Sequence, residues 1–447
     1  MKRECVMSGA VVCLLGMLSG SAYGQSAVVS ETTWGGFGVD APSGVAVAVD
    51  GSSYVTGITD SFTRDQFGNS SPKIFLVKFD ATGSVAWQRI WNGNTVRGLG
   101  GPAVALHAGT LPGNASDDSI YVTGLTSSGG NDAVLLKFDA LGNLVWQRTW
   151  GGVDLDVANG VATAADGPVY IVGHTNSFGA SGSGLFVVKF DPAGAMIWQK
   201  VWDGSGGFEA ITVGPDGSVY AAATTARDGT FAFFDLVALK ITSDGVLLWQ
   251  REYAAGDDAD PRGGMTVASD GSIYIAGALQ APKIGISALV VRLSAAGALL
   301  FDGQWAGRTG TEVAAGIAAA ADGSVYFAGT TSSSGAGGQD AFVVHLLPSG
   351  KVAGAATWGG AEFDEGAGVA VAADGSVRLA ALAQAPPYAL MPAVKRVSNV
   401  KGTLAAATAV FGDAFGTAVD AGDLVTTPAG STTFAGNVDA ALVRLAP

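Results

Sequence analysis

"IFLVKFDATGSVAWQRIWNG", residues 74–93, decides the architecture, because the chain writes it three times. It returns as "AVLLKFDALGNLVWQRTWGG" from Ala133 and as "LFVVKFDPAGAMIWQKVWDG" from Leu185. Each copy holds two apolar-aromatic runs joined by a short turn that carries Gly, such as "FDATGS" or "FDPAGA". Such runs read as strands. A turn this short leaves no room for a crossover helix, so the two strands must be antiparallel.

Working outward, each copy is preceded by a small-apolar run such as "VAVAVD", "VATAAD", "MTVASD" or "VAVAAD". These runs end at Asp50, Asp166, Asp270 and Asp374, each followed by Gly. Asp-Gly between two apolar runs is a hairpin signal, since such turns need positive φ. An aromatic heads each unit: Trp34, Trp91, Trp150, Trp202, Tyr253, Trp305, Trp358 and Phe411, at spacings of 51 to 59 residues. Eight units of four antiparallel strands predict an all-β chain folded as a β-propeller of eight blades. Ala, Thr and Gly in the first strand suit a crowded axis. Trp pairs four apart in the fourth strand (Trp87/Trp91, Trp146/Trp150, Trp198/Trp202) share one face and fill the widening wedge between blades. The last copy stops after its third strand, "DAALVRLAP", while "SAVVSETTW" precedes the first copy as an orphan fourth strand. The N-terminal strand is therefore expected to complete the last blade and close the ring, removing two exposed sheet edges.

The net charge is −14 and the pI about 4.5. Nucleic acid, which needs a dense Lys/Arg surface, is excluded as a partner, and docking to anionic membranes is disfavoured. Residues 1–24 read as an export signal: "MKRE", the apolar "CVMSGAVVCLLGMLSG", then small residues ending in Ala22 and Gly24. Both cysteines, Cys5 and Cys13, lie inside it, so the mature chain has no disulfide, thiolate nucleophile or thiolate metal site. The apolar run is too short for a membrane span. The reading is one propeller domain over 25–447, exported to the periplasm, surface or exterior of a bacterium, a monomer with no membrane insertion.

The unit heads resemble the bacterial β-propeller repeat family called SBBP. The residues that carry the resemblance are "TWGGFGVDAPSGVAVAVDGSSYVTGITDSF" (33–62), "TWGGVDLDVANGVATAADGPVYIVGHTNSF" and "TWGGAEFDEGAGVAVAADGSV". The family name implies seven blades, and units seven and eight are degraded here ("SVRLAALAQAPPY", "AGSTTFAGNV"), so seven stands as the alternative count. The resemblance implies export and a propeller and brings no activity with it. A weaker similarity to quinoprotein-type repeats implies eight blades, but no ligand set for their calcium-bound quinone is present. Sialidase-type Asp boxes do not fit the spacing.

Chemistry is sparse. No Ser/His/Asp set, His-rich metal spacing or phosphate-cradling loop is present, and no catalytic residue is assigned. His345 aligns with Lys78, Lys137, Lys189, Lys240, Arg292, Arg396 and Arg444, a cation in every third strand, best read as a structural partner for a turn carboxylate or carbonyl. Asp40, Asp156, Asp260, Glu312 and Asp364 follow the head aromatic and are read as braces of the connecting turns. Clustered carboxylates also suit Ca²⁺, for which Asp257, Asp258 and Asp260 are the candidates; no other cofactor is implied. The loops after the second strand (59–73, 126–133, 175–184, 330–340) vary most and all emerge on one face. Variable loops on a rigid scaffold are where binding usually sits, so Asp60, Arg64, Asp65, His174 and Asp340 are the candidate contacts for a protein or glycan. The rival functions are a carboxylate-based hydrolase or lyase acting on a sugar or lactone, and a structural cell-surface component.

Overall fold

The computed structural model describes residues 28–36, 38–62, 71–91, 93, 95, 101–109, 117–127, 130–179, 183–204, 206–226, 234–253, 258–281, 285–306, 310–336, 338–384, 424–427 and 438–446. Among them there is no helix long and apolar enough to cross a membrane. The strands form seven antiparallel sheets. Blades one to six are continuous in sequence: 40–91, 103–150, 156–203, 206–253, 258–305 and 312–358. In each, the strands lie side by side in chain order, and the small-residue first strands of successive blades touch one another around the axis. At Gly316, in the first strand of blade six, an added Cβ would stand 2.7 Å from the backbone N of Val369 in blade seven. Glycine lets the two inner backbones approach that closely.

Blade seven closes the ring and settles the count at seven, the lower of the two expected numbers. Its two inner strands are Glu365–Val371 and Val377–Gln384, its third is Val438–Leu445, and its outer strand is the N-terminal Val28–Trp34. Thr33 lies opposite Ala441 and Trp34 opposite Ala440, antiparallel, as the terminal sequences predict. Unit seven thus supplies two strands and unit eight the third. The expected third strand of unit seven, with its cation Arg396, and the head aromatic Phe411 lie outside the described residues. Leu424–Thr427, read from sequence as part of unit eight, instead pairs with Val85–Trp91 as a fifth strand on the outer edge of blade one.

Seven apolar clusters hold the ring, one between each pair of neighbouring blades. The paired tryptophans enter these clusters from one side, Trp87 with Trp91 and Trp146 with Trp150. Several ring nitrogens also reach the next blade. Trp87 Nε1 donates to the Ala140 carbonyl at 3.2 Å, Trp146 to Pro192 at 3.1 Å, Trp198 to Ser243 at 3.0 Å and Trp249 to Ala295 at 3.1 Å. Nearer the other face, Trp91 donates to Gln147 at 3.0 Å and Trp150 to Gln199 at 2.8 Å. Trp358 donates to Glu31 of the N-terminal strand at 3.2 Å. Apolar burial supplies most of the attraction; the indole bonds fix each blade's angle to its neighbour.

The repeated cation does what the repeat suggests. Lys78, Lys137, Lys189, Lys240 and Arg292 lie over the rings of Tyr54, Tyr121, Tyr170, Tyr220 and Tyr274, about 5 Å from each centroid. His345 stacks on Tyr326 at 4.2 Å. Their polar ends meet turn carbonyls or turn carboxylates: Lys189 the Ser243 carbonyl at 2.8 Å, Lys240 Asp216 at 3.0 Å, Arg292 Asp270 at 2.6 Å and Arg444 Asp374 at 3.0 Å. His345 Nε2 bonds Ser324 Oγ at 2.9 Å.

Candidate functional site

The antiparallel order gives the ring two unlike faces. One carries the tight turns between first and second strands and between third and fourth. Except in blade two, where residues 108–118 join the first two strands, the first of these turns is nearly identical from blade to blade, with positive φ at Gly51, Gly217, Gly271, Gly323 and Gly375. The other carries the connections between blades and the variable loops, and is called the loop face. Asp60, His174 and Asp340 all lie on it, as do Asp258 and Asp260, at the loop-face ends of their strands. Arg64, Asp65 and Asp257 lie outside the described residues.

The acidic residues that open the first strands brace this face. Asp40 accepts from Gly36 N–H at 2.9 Å and from the hydroxyls of Thr59 and Ser61. Asp156 accepts from Gly152 N–H at 2.8 Å and Ser177 Oγ at 2.7 Å, and Asp364 from Gly360 N–H at 2.6 Å and Gln384 N–H at 3.0 Å. Glu312 accepts from Thr331 Oγ1 at 3.1 Å. All four are almost fully buried. In blade five the sequence alignment is one residue out. Ala259 pairs with Leu279 where Asp156 pairs with Thr175, so Asp258 and Asp260 flank the bracing position. The insertion Pro261–Gly264, which breaks the first strand of that blade, shifts the register. Asp258 accepts from Phe234 N–H at 2.8 Å, and Asp260 is held by Arg262 through Nε at 2.6 Å. Among the described residues no three His, Cys, Asp or Glu side chains converge as a metal site. Asp340 is buried at the start of its strand, and with Asp364 it flanks Gly359.

Sequence reasoning missed the most unusual group on this face. In blades one, three, four, six and seven a bulge interrupts the first strand, leaving Ser43, Asn159, Glu209, Ala315 and Ala367 as the extra residues. Four of these are small or neutral. The fifth is Glu209. The connection before it is also short: Phe208 follows Trp202 by six positions, whereas the equivalent Ala158 follows Trp150 by eight. The acidic brace is replaced there by Gly206, and the position of Val157 by Gly207. Gly207 is buried, and the Glu209 carboxyl and the His174 ring pack over it. A Cβ on Gly207 would stand 2.9 Å from Glu209 Oε1 and 3.6 Å from His174 Nδ1.

Glu209 is crowded by atoms yet not sealed from solvent. Its carboxyl is pushed up to about 7, chiefly by desolvation and then by Asp260, with Arg262 opposing. Burial lowers the His174 imidazole below its ordinary value, against a pull from Asp156, so the ring is neutral at pH 7. Asn159 donates from Nδ2 to the Phe208 carbonyl at 3.1 Å, while its Oδ1 is buried with no hydrogen-bond partner among the described residues. Three blades therefore bring a perturbed carboxyl, a neutral imidazole, a carboxamide oxygen and an Asp260–Arg262 pair to one place on the inner rim. Only His174 among them was singled out as a ligand contact from sequence. The signal for Glu209 was present as a charged residue in a run of small ones, two residues after a shortened connection.

Two hollows lie elsewhere in the ring. A cavity of about 370 Å³ at the turn-face end of the axis is lined by His107, Thr163, Thr212 and Thr266 with small residues. His107 ends the first strand of blade two opposite Ser119, where it borders this hollow. A second, of about 340 Å³, lies between blades four and five, where Tyr253 stands in place of the usual tryptophan and bonds Asp302.

No family model matches the chain, and no curated protein matches it. Solved structures do share its outline. A protein of unknown function from Bacteroides caccae is 16% identical, with 58% of this chain and 82% of that one covered and a TM-score of 0.37. The β-propeller domain of the Trilobed protease from Pyrococcus furiosus, described as having an open velcro topology, is 12% identical over 77% and 91%, with a TM-score of 0.43. A glucose dehydrogenase is 14% identical over 69% and 96%, with a TM-score of 0.39. The chain itself is an all-β, seven-bladed propeller.

Proposed function

We propose that this propeller is an exported bacterial binding scaffold of the SBBP type that recognises a protein or glycan through its loop face. The observation that supports this most is the asymmetry of the two faces. One is, outside the 108–118 connection of blade two, a set of near-identical turns, while the other carries the variable loops and the cluster around Glu209. A rigid ring that varies mostly on one side is suited to present that side. The test is capture of proteins and glycans by the mature chain, beside a variant with loops 59–73 and 330–340 shortened. Capture lost on shortening supports the reading; equal capture by both refutes it.

A carboxylate-based hydrolase acting on a sugar or lactone is the second reading, and Glu209 favours it. A carboxyl that titrates near 7 can serve as a general acid at neutral pH. Turnover of a glycoside or lactone, abolished by Glu209→Gln, would support it. A calcium requirement belongs to this reading too, and elemental analysis of wild type beside a triple Asp257, Asp258 and Asp260 variant measures it.

A further inference from the structure

We propose that the hollow between blades four and five is a binding site for a small monocarboxylate with an apolar body, such as a medium-chain fatty acid. It lies in a wedge between blades, apart from the loop face, so it stands or falls separately from the reading above. Two departures from the repeat open it. One third-strand position faces the following blade and lies opposite the residue after the fourth-strand Gln. It is leucine in blades one, two and seven (Leu76, Leu135, Leu442) and valine in blades three, five and six. In blade four it is Ala238, opposite Arg251. The head aromatic that closes each wedge is tryptophan everywhere except here, where it is Tyr253. Both smaller side chains line the hollow of about 340 Å³, whose apolar walls are Leu236, Val291, Leu293 and Leu299. That volume lies within the range of small-molecule pockets, about 300–1,000 Å³, and aliphatic walls favour an apolar occupant over water.

The rim supplies the charge. In blades one and two the fourth-strand arginine clasps the next blade's turn. Arg89 donates through Nε to the Gly142 carbonyl at 2.7 Å and through Nη2 to Leu141 at 2.8 Å. Arg148 donates likewise to Gly194 at 2.7 Å and Ala193 at 3.2 Å. Arg251 holds this place in blade four and borders the hollow. It stays over the Trp249 ring, 5.8 Å from the centroid, and keeps the Nη1 bond to the Gln250 carbonyl at 2.9 Å. Among the described residues nothing bonds its Nε or Nη2. The three atoms nearest a Cβ built at Gly297 belong to Trp249, whereas Arg89 and Arg148 lie 3.0 Å from a Cβ at the equivalent glycines. Two N–H groups on one edge of a guanidinium match a carboxylate. Glu252 does not compete for this edge: it pairs with Val237, whose counterparts Phe75 and Phe186 face the preceding blade. Asp302 is taken by the Tyr253 hydroxyl.

The probe is octanoate, titrated calorimetrically into the purified protein at pH 7, where one site is expected. 1-Octanol should bind about tenfold or more weakly, and Arg251→Gln should bring octanoate down to the level of octanol, the loss of a charge-assisted pair of hydrogen bonds. Ala238→Leu installs the residue that three other blades carry at this position. It should abolish binding of both probes and raise the melting temperature, because it fills the hollow. Ala238→Val, the residue of three further blades, should weaken both by a smaller factor. No heat with octanoate, equal affinity for octanol and octanoate, or undiminished binding in folded Ala238→Leu would each overturn the inference. Capture through the outer loops is unaffected by any of these variants, so the two readings fail separately.

Discussion

At Tyr121 and Tyr170 the repeat keeps a hydroxyl that is buried with no hydrogen-bond partner among the described residues. Burial, with help from nearby carboxylates, pushes both phenols up to about 12, so they stay protonated. What matters at these positions is the ring beneath the cation and beside the tryptophan, 5.8 Å away for Tyr121–Trp146. Tyr121→Phe should therefore change stability by no more than about 0.5 kcal/mol, in either direction, because it removes a group that had lost its water and gained nothing. Denaturant unfolding measures this. Glu209 behaves oppositely. Its folded value is raised above the unfolded value near 4.3, so ionisation opposes folding and stability falls as pH rises from about 4.5 to about 7. In Glu209→Gln the melting temperature should lose that slope and be higher than wild type at pH 8. The cation row was legible in the sequence because eight aligned copies gave it one meaning. Glu209 was not, because its neighbours come from three blades and its bulge slips the inner strand out of period.

At the scale of single elements, the Asp-Gly turns are the most uniform parts of the molecule. Asp270, Asp322 and Asp374 are held below the usual carboxylate range. The first cause is the backbone N–H of Ser272 for Asp270, and the serine hydroxyls of Ser324 and Ser376 for the other two. Groups depressed in this way stabilise the fold above their unfolded value near 3.9 and lose that contribution as pH falls through the folded value. The melting temperature should hold near pH 5 and drop as pH goes from about 4 toward 2. The triple variant Asp270→Asn, Asp322→Asn, Asp374→Asn, which keeps a turn acceptor without the charge, should flatten that drop. Strand identity and pairing were readable from periodicity and turn chemistry. Register in blade five was not, since the four residues Pro261–Gly264 that break its first strand look like ordinary loop composition.

For the whole molecule, the number of blades was the one property of the ring that the repeats alone left open. Eight heads can be counted, but the last two units contribute two strands and one, and together with Val28–Trp34 they make a single blade. Closure rests on Trp34, which is 2% exposed and packs with Val55, Phe75, Ala380 and Leu442 across the seam. Trp34→Ala should cost about 3–5 kcal/mol, the usual range for emptying a buried aromatic site, whereas the same change at a partly exposed rim tryptophan such as Trp198 should cost less. The ring itself is tested most directly by joining its ends. Thr33→Cys with Ala441→Cys, in a chain whose natural Cys5 and Cys13 are changed to serine, places two thiols at opposed positions of the seam. Directly opposed antiparallel residues lie within disulfide reach. Non-reducing peptide mapping after mild oxidation should find one intramolecular link between the two ends in monomeric protein, with a melting temperature several degrees higher. Free thiols at both positions, or links only between molecules, would show that the N-terminal strand does not complete the last blade.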